Sequence, residues 1–173
     1  LKYYKKEFKV VNMVKVLILY YSRTGNVEAL ARAVAEGVES VEGASAELKR
    51  VDFATVYDLI SCDAVAFGSP NYFGYMAGLM KDFFDRAWSI RDVIAGKPAA
   101  CFTCGGSSSN SALLSIEGIF SAFKFQKVCD GVAWGLRDRG RPSEQGKDLS
   151  ALKRIGKILA EAALKKKMEV PQN

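Results

Sequence analysis

The sequence predicts an α/β protein of the doubly wound, three-layer kind: a five-stranded parallel sheet between two layers of helices. Three observations predict it. Short apolar runs alternate five times with segments whose apolar residues recur every three or four positions. Such alternation buries a parallel sheet under helices on both faces, joined by right-handed crossovers. Three of the loops that leave the apolar runs are rich in Gly, Ser and Asn, and in such sheets ligands bind beyond the carboxyl ends of the strands. Finally, 173 residues with 49% hydrophobic and 25% charged content suit one domain with a full core.

The first strand is the apolar run from Val14 to Tyr20. Ser22-Arg23-Thr24-Gly25-Asn26 follows, and then Val27, Leu30, Ala31, Val34, Ala35 and Val38 mark one face of a helix. A loop at that junction offers free amides at a helix N-terminus, a setting that suits a phosphate. Ser22 and Thr24 add hydroxyls, and Gly25 permits positive φ. The same stretch also reads as an ordinary turn in which Ser22, Thr24 or Asn26 caps the helix. It contains neither a Walker A motif nor Gly-x-Gly-x-x-Gly, which disfavours ATP, GTP and NAD at this loop.

Ala44 to Val51 alternates loosely and predicts a second strand at a sheet edge. A helical turn is expected near Val56 to Ile60. Asp63 to Gly68 is the third strand, running into the aromatic loop Ser69 to Tyr75. Met76, Leu79, Met80, Phe83, Phe84, Ala87 and Trp88 then mark an amphipathic helix whose aromatics are expected in the core. Ala99 to Thr103 is the fourth strand and Cys104 to Asn110 its loop. Leu113, Ile116, Ile119, Phe120 and Phe123 continue as a helix. Lys127 to Trp134 is the fifth strand, interrupted by Gly131. After a polar stretch rich in Gly and Arg, Leu149, Leu152, Ile155, Leu159 and Ala163 mark the last helix, and Pro171 ends the pattern.

Residues 1–12 read as a basic, aromatic extension without the apolar stretch of a secretory signal. Met13 is a candidate start, and residues 13–173 form the expected single domain. No apolar run reaches the ~20 residues of a membrane span. The net charge is +6, yet no nucleic-acid motif accompanies it, so solvated helix ends are the better account. Cys62, Cys101, Cys104 and Cys129 lie in apolar segments, which suits a reducing cytoplasm. On a strand, the spacing of Cys101 and Cys104 sends their side chains to opposite faces, so buried thiols are expected rather than a redox pair. The chain has no histidine, which removes the commonest general base and metal ligand. No metal site is expected.

Tyr20-Tyr21-Ser22-Arg23-Thr24-Gly25-Asn26-Val27 resembles the phosphate loop of flavodoxins. Ser69, Pro70, Phe73, Gly74 and Met76 match the Ser-Pro-x-x-Phe/Tyr-Gly-x-Met pattern of the WrbA-like NAD(P)H:quinone oxidoreductases, which share that fold. Cys104-Gly105-Gly106 is similar to their third loop. The resemblance implies a flavodoxin-like sandwich of strand order 2-1-3-4-5 that binds FMN. It implies that Ser22, Arg23, Thr24, Gly25, Asn26 and Val27 hold the phosphate. Pro70, Asn71, Tyr72, Phe73 and Gly74 would contact the isoalloxazine, with Thr103, Cys104, Gly105 and Gly106 on its other side. Two features depart from the quinone oxidoreductases: there is no histidine near the flavin, and Val51 to Asp63 has no room for the insertion that builds their oligomer.

Two functions follow as expectations. One is an FMN oxidoreductase taking electrons from NADH or NADPH and passing them to a quinone or similar acceptor, with Tyr72 as a proton relay. A homo-oligomer is compatible with it. The other is a flavodoxin-type carrier without NAD(P)H activity, whose basic surface selects an acidic redox protein. A flavin-free signalling domain fits less well, since Tyr20, Tyr21 and Ser22 stand where a response regulator needs acidic residues.

Overall fold

The computed structural model describes residues 13–107 and 110–169. The basic extension at 1–12 and Pro171 lie outside the described residues. The sheet runs β2-β1-β3-β4-β5, all parallel, with β6 also on β4. Its strands are β1 (Val14–Tyr20), β2 (Ala44–Arg50), β3 (Ala64–Pro70), β4 (Pro98–Gly105), β5 (Gln126–Lys127) and β6 (Val132–Gly135). The helices are α1 (Asn26–Glu39), α2 (Val56–Ser61), α3 (Gly78–Ala87), α4 (Ser111–Ala122), α5 (Leu136–Arg139) and α6 (Ser150–Glu169). This is the expected doubly wound order. Its switch point lies between β1 and β3, where a crevice opens at the carboxyl ends of the strands.

Alternation along the central strands supplies two cores. Val14, Val16, Ile18 and Tyr20 face the layer of α1 and α6, while Leu17 and Leu19 face the layer of α3 and α4. The first layer is close-packed through glycine. A Cβ on Gly37 would lie 1.9 Å from the Lys153 carbonyl oxygen, and one on Gly156 would lie 1.9 Å from that of Val34. The second layer is filled by rings: Phe67 packs on Phe84 at 4.8 Å and on Phe125 at 5.7 Å. Cys101 and Cys104 fall in opposite cores, as strand geometry requires.

Several boundaries differ from expectation. β3 and β4 run on into what the sequence suggests are loops, because Ser69 pairs with Thr103 and Pro70 with Cys104. The fifth strand is two pieces. Ala99 pairs with Lys127 but Phe102 with Val132, so the outer chain carries two extra residues. Gly131 sits in that excursion, where a Cβ would meet the Cys101 carbonyl oxygen at 2.7 Å. Leu79 and Trp88 are not core residues: both are about half exposed, and Arg91 lies 4.4 Å over the Trp88 ring. No helix among the described residues is long and apolar enough to cross a membrane.

Candidate functional site

Three loops meet at the carboxyl end of the sheet. The first follows β1. Its Tyr21 N–H still donates to Gly68 of β3, at 3.0 Å. Gly25 then turns the chain into α1 with φ +83, the left-handed region that favours glycine. No side chain caps this helix, so the ordinary-turn alternative is not what forms. Asn26 Nδ2 donates to Thr24 Oγ1 instead, at 3.1 Å. Ser22 is 4% exposed and its hydroxyl has no hydrogen-bond partner. A buried hydroxyl left unpaired is costly, and this one stands beside uncapped amides and the positive end of the helix dipole.

Arg50 supports the loop from β2. It lies opposite Tyr20 in the β1–β2 register. Its Nη1 donates to the Ser22 carbonyl at 2.7 Å, and its Nη2 donates to Asp52 at 2.7 Å. The guanidinium also lies 5.8 Å from the centre of the Tyr21 ring. Sequence reasoning misses this residue. Strand pairing brings Arg50 to the loop, and nothing local in the chain announces it.

The second loop is tied by its own bonds. Ser69, fully buried, accepts from the Ala77 N–H at 2.9 Å and donates to the Pro70 carbonyl at 2.9 Å. Asn71 N–H donates to the Cys104 carbonyl at 2.7 Å, and the Asn71 side chain accepts from Gly74 N–H at 3.0 Å. Tyr72 and Tyr75 exchange backbone hydrogen bonds at 2.9 and 3.0 Å around a tight turn. Phe73 and Gly74 form its tip with φ +52 and +83, the signs a primed hairpin turn demands. Gly74 suits that geometry; Phe73 adopts it under strain.

The third loop approaches through Gly105, where a Cβ would lie 2.8 Å from that of Asn71. Together these loops wall a cleft of about 170 Å³. It gathers Ser22, Arg23, Thr24, Asn26 and Val27 with Pro70, Asn71 and Tyr72, and with Cys104, Gly105 and Gly106. Leu136, the first residue of α5 just beyond β6, completes the wall and is one that sequence reasoning misses. The signal available was its place just beyond a fourth strand end. Arg137 N–H donates to the Gly106 carbonyl at 3.0 Å, which brings that part of the Arg-rich stretch to the rim.

Four expected residues do not line the cleft. Gly25 shapes its loop, Gly74 shapes its turn, and Thr103 is buried within β4. Phe73 is 109% exposed, its ring directed away from the protein. Ser108 and Ser109 of the third loop lie outside the described residues. Burial pushes the Cys104 thiol up to about 11, and it raises Cys101 further, so neither is a ready nucleophile at neutral pH. Burial also raises the Tyr20 phenol.

The cleft accords with what the chain is similar to. Residues 18–152 match the family model described as Flavodoxin. A flavodoxin of Aquifex aeolicus (strain VF5) is 38% identical over 162 residues, covering 86% of each chain. The crystal structure of oxidised flavodoxin 2 from Bacillus cereus superposes with TM-score 0.72 at 22% identity, covering 86% of this chain and 99% of that one. A WrbA-like protein from Agrobacterium tumefaciens superposes with TM-score 0.64 at 20% identity, covering 91% and 99%. The last two likenesses speak for the fold alone. The family model and the Aquifex relative speak for more: the chain belongs to the flavodoxin family.

Proposed function

We propose that the chain is an FMN-binding electron carrier whose cofactor sits in the cleft walled by the three loops. One observation carries the reading: the buried, partnerless Ser22 hydroxyl beside the uncapped N-terminus of α1. The donor set fits the group. Ser22 and Thr24 hydroxyls, the amides of residues 23–27 and the Arg23 side chain suit a phosphate dianion. The cleft's volume suits the phosphate end of a nucleotide and leaves a flat ring at its mouth, where Tyr72 stands 39% exposed.

Bound FMN would supply one- and two-electron redox chemistry. The chain's own residues do the rest. The first loop anchors the phosphate and sets the cofactor's depth. Asn71 holds the second loop to β4, and so fixes the position of Tyr72. Gly105 and Gly106 let backbone approach closely, and Cys104 contributes a neutral, apolar wall. Tyr72, which lines the cleft and is partly exposed, is the residue we propose as a proton relay. The rim bears Arg23 and Arg137, neither in an ion pair among the described residues. A redox protein with an acidic face is the partner this charge suits.

The NAD(P)H:quinone oxidoreductase reading has less behind it. The 38% identical relative bears the name flavodoxin, and the WrbA-like likeness rests on 20% identity. Visible spectra separate the two readings. The protein is loaded with FMN without air and mixed with NADH or NADPH. A carrier keeps its flavin band until dithionite is added, then passes electrons to an oxidised redox protein. Rapid bleaching by NADH or NADPH overturns the carrier reading, and absence of FMN binding overturns both.

A further inference from the structure

We infer that Arg50 is a positioning residue that gives the cleft its preference for a phosphorylated flavin. The inference rests on the FMN reading above and adds a residue outside the cleft to it. Ser22 and Arg23 line the cleft; Arg50 does not. Arg50 nevertheless holds the Ser22 carbonyl at 2.7 Å. In a trans peptide the carbonyl of one residue and the N–H of the next point in opposite directions. Drawing the Ser22 carbonyl back toward β2 therefore turns the Arg23 N–H toward the cleft. It also removes from the anion's surroundings the partial negative charge of a carbonyl oxygen.

The guanidinium is itself fixed. Its second arm is held by Asp52 at 2.7 Å, and its central carbon lies over the Tyr21 ring, 5.8 Å from the centre. A planar fork makes both bonds at once, which an ammonium on a flexible stem does not do equally well. The contact with Asp52 alone would be a partly exposed ion pair of little consequence. The bond to the Ser22 carbonyl is what makes Arg50 matter to the loop. Arg50 reaches the loop because it ends β2 directly opposite Tyr20, the last residue of β1. A residue earlier in β2 would pair too far from the loop.

The test compares FMN with riboflavin, which differ by the phosphate. Dissociation constants are measured by quenching of flavin fluorescence for the unaltered protein, Arg50→Met and Arg50→Lys. Thermal unfolding without flavin is recorded for each. Arg50→Met is expected to weaken FMN about tenfold, the worth of one charge-assisted hydrogen bond. Riboflavin should change less than about twofold. Arg50→Lys keeps a donor for the Ser22 carbonyl and should fall between. Equal loss for both flavins, or no loss for either, would overturn the inference and leave Arg50 a structural residue. If Arg50→Met does not fold, Arg50→Lys decides on the same ratio. Failure of the unaltered protein to prefer FMN would instead overturn the FMN reading itself.

Discussion

Two buried serines stand at the same end of the sheet, Ser22 just beyond β1 and Ser69 near the end of β3, and they are opposites. Ser69 is fully buried and satisfied, giving one hydrogen bond and receiving another. Ser22 is 4% exposed and makes none. The loop after β3 is closed on itself by side-chain and backbone bonds. The loop after β1 turns on a left-handed glycine, carries no cap and leaves a hydroxyl unpaired. The difference teaches how a site can be built. One loop is a frame whose polar groups are spent on its own shape. The other leaves its donors unspent, as the proposed phosphate site requires.

Substitution of each serine should break the comparison in opposite directions. Ser69→Ala removes two bonds and leaves the Ala77 N–H buried and unpaired. It should destabilise the protein by about 3 kcal/mol in urea unfolding. Alkaline pH should act on a comparable scale. Burial holds the thiols of Cys62 and Cys104 up near about 11, against an ordinary 9.0. A thiol whose folded pKa is raised stabilises the fold below its unfolded value and loses that contribution as pH climbs through the folded one. Unfolding free energy should therefore fall between pH 9 and about 11, by on the order of 2 kcal/mol per thiol. Cys104→Ala should flatten part of that slope.

Ser22→Ala should sharpen the contrast. Without flavin the variant should be more stable by about 1 kcal/mol, because an unpaired buried hydroxyl has gone. FMN affinity should fall about tenfold at the same time. Opposite signs from a single methyl-for-hydroxymethyl change are hard to obtain from packing alone, and a loss of both stability and affinity would contradict the account. The smallest effect is expected at Phe73. Phe73→Gly relieves a positive φ at a tip whose ring packs on nothing. The gain in thermal unfolding should be about 0.5 kcal/mol after the added freedom of the unfolded chain. FMN affinity in the same variant shows whether the ring reaches the cofactor: an unchanged constant places it outside the site.

Much of this was legible in the sequence, for reasons that differ by region. The apolar runs at Val14 and Ala64 declare themselves because central parallel strands are buried on both faces. The loop proposed to hold the phosphate is legible because Gly25 and its hydroxyl neighbours sit between a strand and a helix. The ends of β3 and β4 were hidden, since Ser69, Pro70, Cys104 and Gly105 look like loop residues until pairing buries them. Arg50 was invisible because its role comes from a neighbour in the sheet, not in the chain. Phe73 shows a different limit: a Pro-x-x-Phe-Gly pattern foretells a tight aromatic turn but not which way its ring points. Periodicity overstates the aromatic helix's buried face, because Leu79 and Trp88 share the helical period yet lie at its edge.

The most direct test of the account is a calorimetric titration of flavin-free protein with FMN, repeated in the presence of inorganic phosphate. The account predicts one site per chain, with apparent affinity that falls as phosphate rises, because the anion competes for the amides and hydroxyl of the first loop. Absence of FMN binding, or FMN binding indifferent to phosphate, would contradict it.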